Sequence, residues 1–183
     1  IKNILESKKV DFLLRQGMIL QGQSKLDNCI IKYEEAIKHA EIFRKESLDQ
    51  IKLNYLSAKV QRGDKHIHNE IKNFKNSVEL TTENNISGHI LLTYLQGRAY
   101  ANDGDFENAI RTLIAELELI EQFPNNKNYK SGTLNSISLY LNDMGDEKKA
   151  EEFLKTALKE AKEIHLKQML TLNLANHYYK RDK

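Results

Sequence analysis

A Gly-Asp pair returns along this chain about every 40 residues, and each copy stands between two apolar helical stretches. The copies are Gly63-Asp64, Gly104-Asp105 and Gly145-Asp146. "ILLTYLQGRAYAND" and "GTLNSISLYLNDM" lead into the last two; "FENAIRTLIAELELIEQF" and "EKKAEEFLKTALKEAKEI" lead out of them. "DFLLRQGMILQGQSKLDNCIIKYEEAIKHAEIF" has the same layout, with Gly17 in the place of Gly97 and Cys29 in the place of Ala109. "QMLTLNLANHYYKRDK" repeats the first helix once more. A glycine at a corner can take positive φ, and an aspartate just after it can cap the next helix. The recurrence therefore predicts helical hairpins.

The hairpins also predict where helices come close. Gly17, Ser57, Gly97, Ser138 and Ala175 are small at one shared place in the first helices, and Cys29, Ala109 and Ala150 are small at the facing place in the second. Larger side chains there would push the helices beyond the ~8–10 Å spacing of packed pairs. Tyr33, Tyr100, Leu113, Leu141, Leu154 and Tyr178 are placed to fill the space between neighbouring hairpins. A single hairpin leaves its apolar face exposed and stacked hairpins cover it, so the expected fold is all-α, a right-handed α-solenoid with a concave and a convex side. The expected organisation is one domain over 1–183, with repeats at about 10–48, 49–88, 89–129 and 130–167 and a final helix at 168–183. With one proline, Pro124, and many Leu, Ala, Glu and Lys, the composition favours helix throughout. "EQFPNNKNYKSG" reads as a helix stop followed by a loop.

These residues resemble the tetratricopeptide repeat. The likeness is carried by Gly97, Tyr100, Gly104, Asp105, Ala109 and Ile110 in one copy. In the next it is carried by Gly145, Asp146, Ala150, Leu154 and Ala157, and in the first by Gly17, Tyr33 and Ala36. The long period is similar to that of bacterial peptide-pheromone receptors and of sensor regions of histidine kinases. The resemblance implies a module that binds a protein or short peptide in its concave groove and performs no chemistry. It also implies two alternatives: the sensory region of a larger bacterial signalling protein (histidine kinase or transcription regulator), or a self-associating scaffold. The start at Ile1 without an initiator Met and the stop one helix into a repeat fit a fragment of such a protein.

Other classes find little support. Net charge is +2 with both signs mixed, which argues against direct nucleic-acid binding. No apolar run is long enough to span a bilayer, so no membrane insertion is expected. Cytoplasmic localisation is the expectation, with a periplasmic sensor region as the alternative. No catalytic set, metal site or cofactor site is expected. His66 and His68 share a loop, with no third ligand to be identified. Cys29 reads as a buried packing residue. The acid pairs Glu34-Glu35 and Glu151-Glu152 read as solvated outer faces of second helices.

The groove is the remaining candidate. In such a solenoid the first helices line it, and the positions that packing leaves free are Asn54, Arg62, Tyr94, Arg98, Asn102, Asn135, Asn142, Asn173, Asn176 and Tyr179. Asn is a mediocre helix former, yet six of these ten are Asn. A carboxamide donates and accepts together, so it can read the backbone of an extended peptide. Arg62 and Arg98 could engage a carboxylate, and Tyr94 and Tyr179 offer apolar contact with a polar tip. A homodimer through the last helix is expected if Leu170, Leu172, Leu174 and Tyr178 stay uncovered.

Overall fold

A computed structural model describes residues 2–78 and 83–181, with side chains over 4–78 and 86–179. Among these residues there are nine α-helices and no strand. They are α1 (Lys2–Gly22), α2 (Leu26–Phe43), α3 (Leu48–Arg62), α4 (His68–Ser77), α5 (Glu83–Asn102), α6 (Phe106–Gln122), α7 (Lys130–Asp143), α8 (Glu147–Glu160) and α9 (Ile164–Arg181). The hairpin order matches the sequence reading, while α1 and α5 begin earlier than the repeat bounds at 10 and 89 and α9 begins at Ile164 rather than 168. Residues 182 and 183 of the expected last helix lie outside the described residues. The chain forms two compact units, Ile1–Val78 and Glu79–Lys183. Each is described by itself.

In the first unit α1 and α2 pair over Gly17. A Cβ placed there would stand 2.4 Å from Cε1 of the fully buried Tyr33 ring, so the glycine is what lets the ring lie against α1. The Tyr33 hydroxyl donates to Gln21 Oε1 at 2.8 Å, and burial pushes the phenol pKa up to about 12. Cys29, Ala36 and Ala40 present small faces from α2, and Val10, Leu13, Ile51 and Ala58 complete the core. The Cys29 thiol is fully buried and its pKa is raised, first by burial.

Gly63 ends α3 with φ 87°, as the marker predicts, but Asp64 does not cap α4. This corner is longer, so that Ile67 rather than the aspartate precedes the helix. Ile67 is buried; His66 precedes it in the turn and His68 begins α4. Asp64 Oδ1 and Oδ2 instead accept from Arg62 Nε and Nη2 at 2.6 and 2.8 Å, and Arg62 Nη1 donates to Asp27 at 2.7 Å. Arg62 holds the Asp64 carboxyl below its ordinary value of 3.8. A depressed carboxyl pKa stabilises the fold above its unfolded value and loses that contribution as pH falls through the folded one. Stability of this unit should therefore decline below about pH 4, by less than about 1 kcal/mol for a pair this near solvent. Arg62→Ala should flatten that part of the profile, which urea titrations at several pH values would read.

In the second unit the corners follow the marker closely. Gly104 and Gly145 both have φ 84°. The Asp105 side chain accepts from Asn108 N at 3.2 Å, and Asp146 accepts from Lys149 N at 3.3 Å. Each cap satisfies a backbone N–H left open at a helix start, worth about 1 kcal/mol. Gly97 on α5 admits Leu113 of α6: an added Cβ would stand 2.8 Å from Leu113 Cδ2 and 3.3 Å from the Ala109 carbonyl oxygen. Leu113, Ile137, Leu141 and Ala150 form one core cluster, and Leu134, Leu154, Ala157, Ala161 and Leu170 another.

Two features depart from the expected packing. Glu116 stands on α6 where α2 has Ala36 and α8 has Ala157; it is 1 % exposed, and Thr133 Oγ1 of α7 donates to its Oε1 at 3.0 Å. Also, "PNNKNY" is a 3-10 helix, Pro124–Tyr129, rather than an open loop. Its Asn126 is buried and accepts from Ser87 Oγ of α5 at 2.7 Å.

Candidate functional site

The ten expected groove residues divide between the units. Asn54 and Arg62 lie on α3 in the first; the other eight lie on α5, α7 and α9 in the second. Arg62 is already committed to Asp27 and Asp64, so its guanidinium ties a corner together. Asn54 is half-buried and accepts from Gln50 Nε2 at 3.3 Å along the same helix.

In the second unit, α7 faces two neighbours. Its Ser136 and Tyr140 turn toward α5. The Tyr94 hydroxyl lies 3.2 Å from Ser136 Oγ, and the Arg98 guanidinium sits 5.9 Å from the centre of the Tyr94 ring. Burial pushes the Tyr140 phenol up to about 12, with Arg98 nearby acting in the opposite sense. Phe106 packs against the same ring at 6.0 Å. Tyr94, Arg98 and Tyr140 thus form one half-buried group, and Arg98 is stacked as well as charged. Asn102 lies near the end of the same helix and is half-buried.

On its other side α7 meets α9, and here the carboxamides gather. Asn173 Nδ2 of α9 donates to Asn135 Oδ1 of α7 at 2.9 Å. Asn135 is 8 % exposed, so it is a bridge between helices rather than the free groove residue that the sequence suggested. Asn142, seven residues on, keeps the same face of α7 two turns later.

There a cleft of ≈ 460 Å³ opens between α7 and α9. Asn142, Asn173, Asn176 and Tyr179 line it, four of the ten expected residues. Ser138, Leu139, Leu154 and His177 complete the lining and were not among them. Ser138 and Leu154 looked like packing residues, and His177 carried no spacing signal. Leu139, 45 % exposed, could have been found as an apolar residue interrupting a polar lining. Among the described residues around the cleft there is no Asp, Glu, Lys or Arg. Its polar groups are neutral carboxamides, hydroxyls and one imidazole, beside two leucines. Such a surface can exchange hydrogen bonds with an amide and bury a short apolar side chain, but it offers a full charge nothing to pair with.

The wall behind the cleft is braced by an acid. Glu151 of α8 accepts from the Tyr178 hydroxyl at 2.8 Å and pairs with Lys155 Nζ at 2.7 Å, and its Oε2 lies 3.8 Å from His177 Nε2. The Glu151 side chain is only 17 % exposed, which corrects the reading of Glu151-Glu152 as a solvated pair. Leu170 is fully buried and Leu174 and Tyr178 half-buried, so of the four residues expected to be bare on α9 only Leu172 is.

Residues 132–163, which run from α7 through α8, match the family described as tetratricopeptide repeat. No match was found among curated proteins. Repeats of that family generally mediate protein–protein contacts and are generally not enzymes. Among the described residues no helix is long and apolar enough to cross a membrane.

Proposed function

We propose that this chain, a tetratricopeptide-like repeat protein, binds an uncharged stretch of a partner polypeptide in the cleft between α7 and α9. The observation that carries the reading is the lining of that cleft: Asn142, Asn173, Asn176 and Tyr179 beside Leu139 and Leu154, with no Asp, Glu, Lys or Arg among the described lining residues. A backbone amide of the guest would meet the carboxamides, and a leucine-sized side chain would rest on the leucines. Arg62 and Arg98 drop out as a carboxylate clamp, since one is salt-bridged and the other stacked on Tyr94.

The test uses small probes on isotope-labelled protein. N-acetyl-leucine N-methylamide should shift the side-chain amide signals of Asn142 and Asn176, and N-acetyl-leucine, which ends in a carboxylate, should do so far less. Two carboxamide hydrogen bonds at ~0.5–1.5 kcal/mol each predict that Asn142→Ala with Asn176→Ala weakens the amide probe about tenfold. Equal response to both probes, or an unchanged response in the double variant, would remove the proposal.

A second reading is pairing of two copies through α9. It is favoured by Ile164, Met169 and Leu172, which are 73, 43 and 60 % exposed on that helix. Sedimentation that stays monomeric across a wide concentration range would eliminate it.

A further inference from the structure

Helix α1 is apolar on two opposite faces. Val10, Leu13 and Gly17 face α2 and are buried, with Leu14 and Leu20 packed against the same core. On the other side Leu5, Phe12 and Ile19 stand seven residues apart and are 62, 60 and 61 % exposed. A surface helix normally carries one apolar stripe, and a helix apolar all round is normally covered all round. Three large apolar side chains in one exposed row exceed the scattered exposure that needs no explanation.

The charges on α1 are distributed unevenly around that stripe. Its acids are drawn toward α2: Glu6 Oε2 lies 3.2 Å from His39 Nδ1, and Asp11 pairs with Arg44. Lys8 and Arg15, again seven apart, are exposed and lie along one edge of the Leu5–Phe12–Ile19 row, while Lys9 on the other edge lies toward Glu35 of α2. The exposed face therefore combines an apolar row with a parallel basic row. Both have the repeat that a second α-helix can match, since residues seven apart share one side of a helix.

We infer that this face of α1 docks an amphipathic helix of a partner protein, one with apolar residues at heptad spacing and carboxylates flanking them on the side that meets Lys8 and Arg15. The apolar row supplies the burial. The basic row sets the orientation and rejects a basic helix, because like charges across an interface are costly. This surface is separate from the α7–α9 cleft and does not depend on it.

A fluorescein-labelled peptide about 20 residues long, with leucines at heptad spacing and flanking glutamates, spans the row at ~1.5 Å per residue and serves as the probe. Its anisotropy should rise on titration with the full chain. A counterpart with lysines in place of the glutamates should bind at least about tenfold more weakly. Phe12→Ser with Ile19→Ser should weaken the acidic peptide by a similar factor, as should Lys8→Glu with Arg15→Glu. All four positions are exposed, so circular dichroism should show these variants folded. Three results would overturn the inference: equal binding of acidic and basic peptides, full affinity in the Phe12→Ser/Ile19→Ser variant, or a dimer of the chain alone that this variant abolishes. Tighter binding of phosphatidylglycerol vesicles than of the peptide, lost in Lys8→Glu/Arg15→Glu, would assign the face to an anionic bilayer and overturn it too.

Discussion

Gly97→Leu is expected to destabilise the second unit by about 3 kcal/mol, at the upper end of what overpacking a core costs. Two contacts decide the size. Leu113 is fully buried, so its Cδ2, 2.8 Å from the added Cβ, can turn only into space that Ile137 and Leu141 already fill. The Ala109 carbonyl, at 3.3 Å, is backbone and moves only if α6 moves. Alanine adds a Cβ alone and gains helix propensity of about 1 kcal/mol, so Gly97→Ala should cost much less. Gly88, on the same helix, has nothing within 4 Å of an added Cβ, and Gly88→Ala should stabilise by up to about 1 kcal/mol. Opposite signs at the two glycines, read by urea unfolding, would locate the close approach. An unmoved midpoint for Gly97→Leu would mean that the helices do not meet there.

Gly17→Ala should be costly even with the smallest side chain. The added methyl would lie 2.4 and 2.7 Å from two carbons of the Tyr33 ring. That ring is fully buried and its hydroxyl is bonded to Gln21, so turning it aside would break a hydrogen bond and disturb the core. Setting an overpacking cost of up to ~3 kcal/mol against the ~1 kcal/mol propensity gain leaves a net loss of about 2 kcal/mol in the first unit. Cys29 supplies a local readout, because its thiol is fully buried one turn from Tyr33. At a loss of that size a disulfide reagent should label Cys29 roughly thirtyfold faster than in the parent, since labelling follows the opened population. Labelling at the parental rate would show that the helices part easily at this point.

The elements most visible in the sequence are those fixed by backbone demands. A corner that needs positive φ admits few residues, so Gly63, Gly104 and Gly145 announced themselves, and Asp105 and Asp146 followed as caps. Asp64 did not, because a longer corner moved it out of reach of α4 and Arg62 took its carboxylate. Side-chain partners were less visible. Asn135 and Asn142 share a helical face, yet one is bonded to Asn173 of α9 and the other borders an open cleft, a difference that no spacing along α7 encodes. The pairing of Arg62 was hidden for the same reason: its partner Asp27 is 35 positions away in the chain. The second apolar face of α1 went unread because the repeat comparison weighs only those positions that pack within a hairpin.

Glu116 has a consequence for how the chain avoids error. Hairpins built alike could in principle exchange neighbours during folding, giving compact states with the wrong succession of helices. Where α2 and α8 carry an alanine, α6 carries a buried carboxyl that accepts from the Thr133 hydroxyl of α7, and a neighbour without that hydroxyl would forfeit this hydrogen bond, worth about 1 kcal/mol. One acidic side chain thus gives α6 a mark of identity that α2 and α8 lack at the face turned to the next helix.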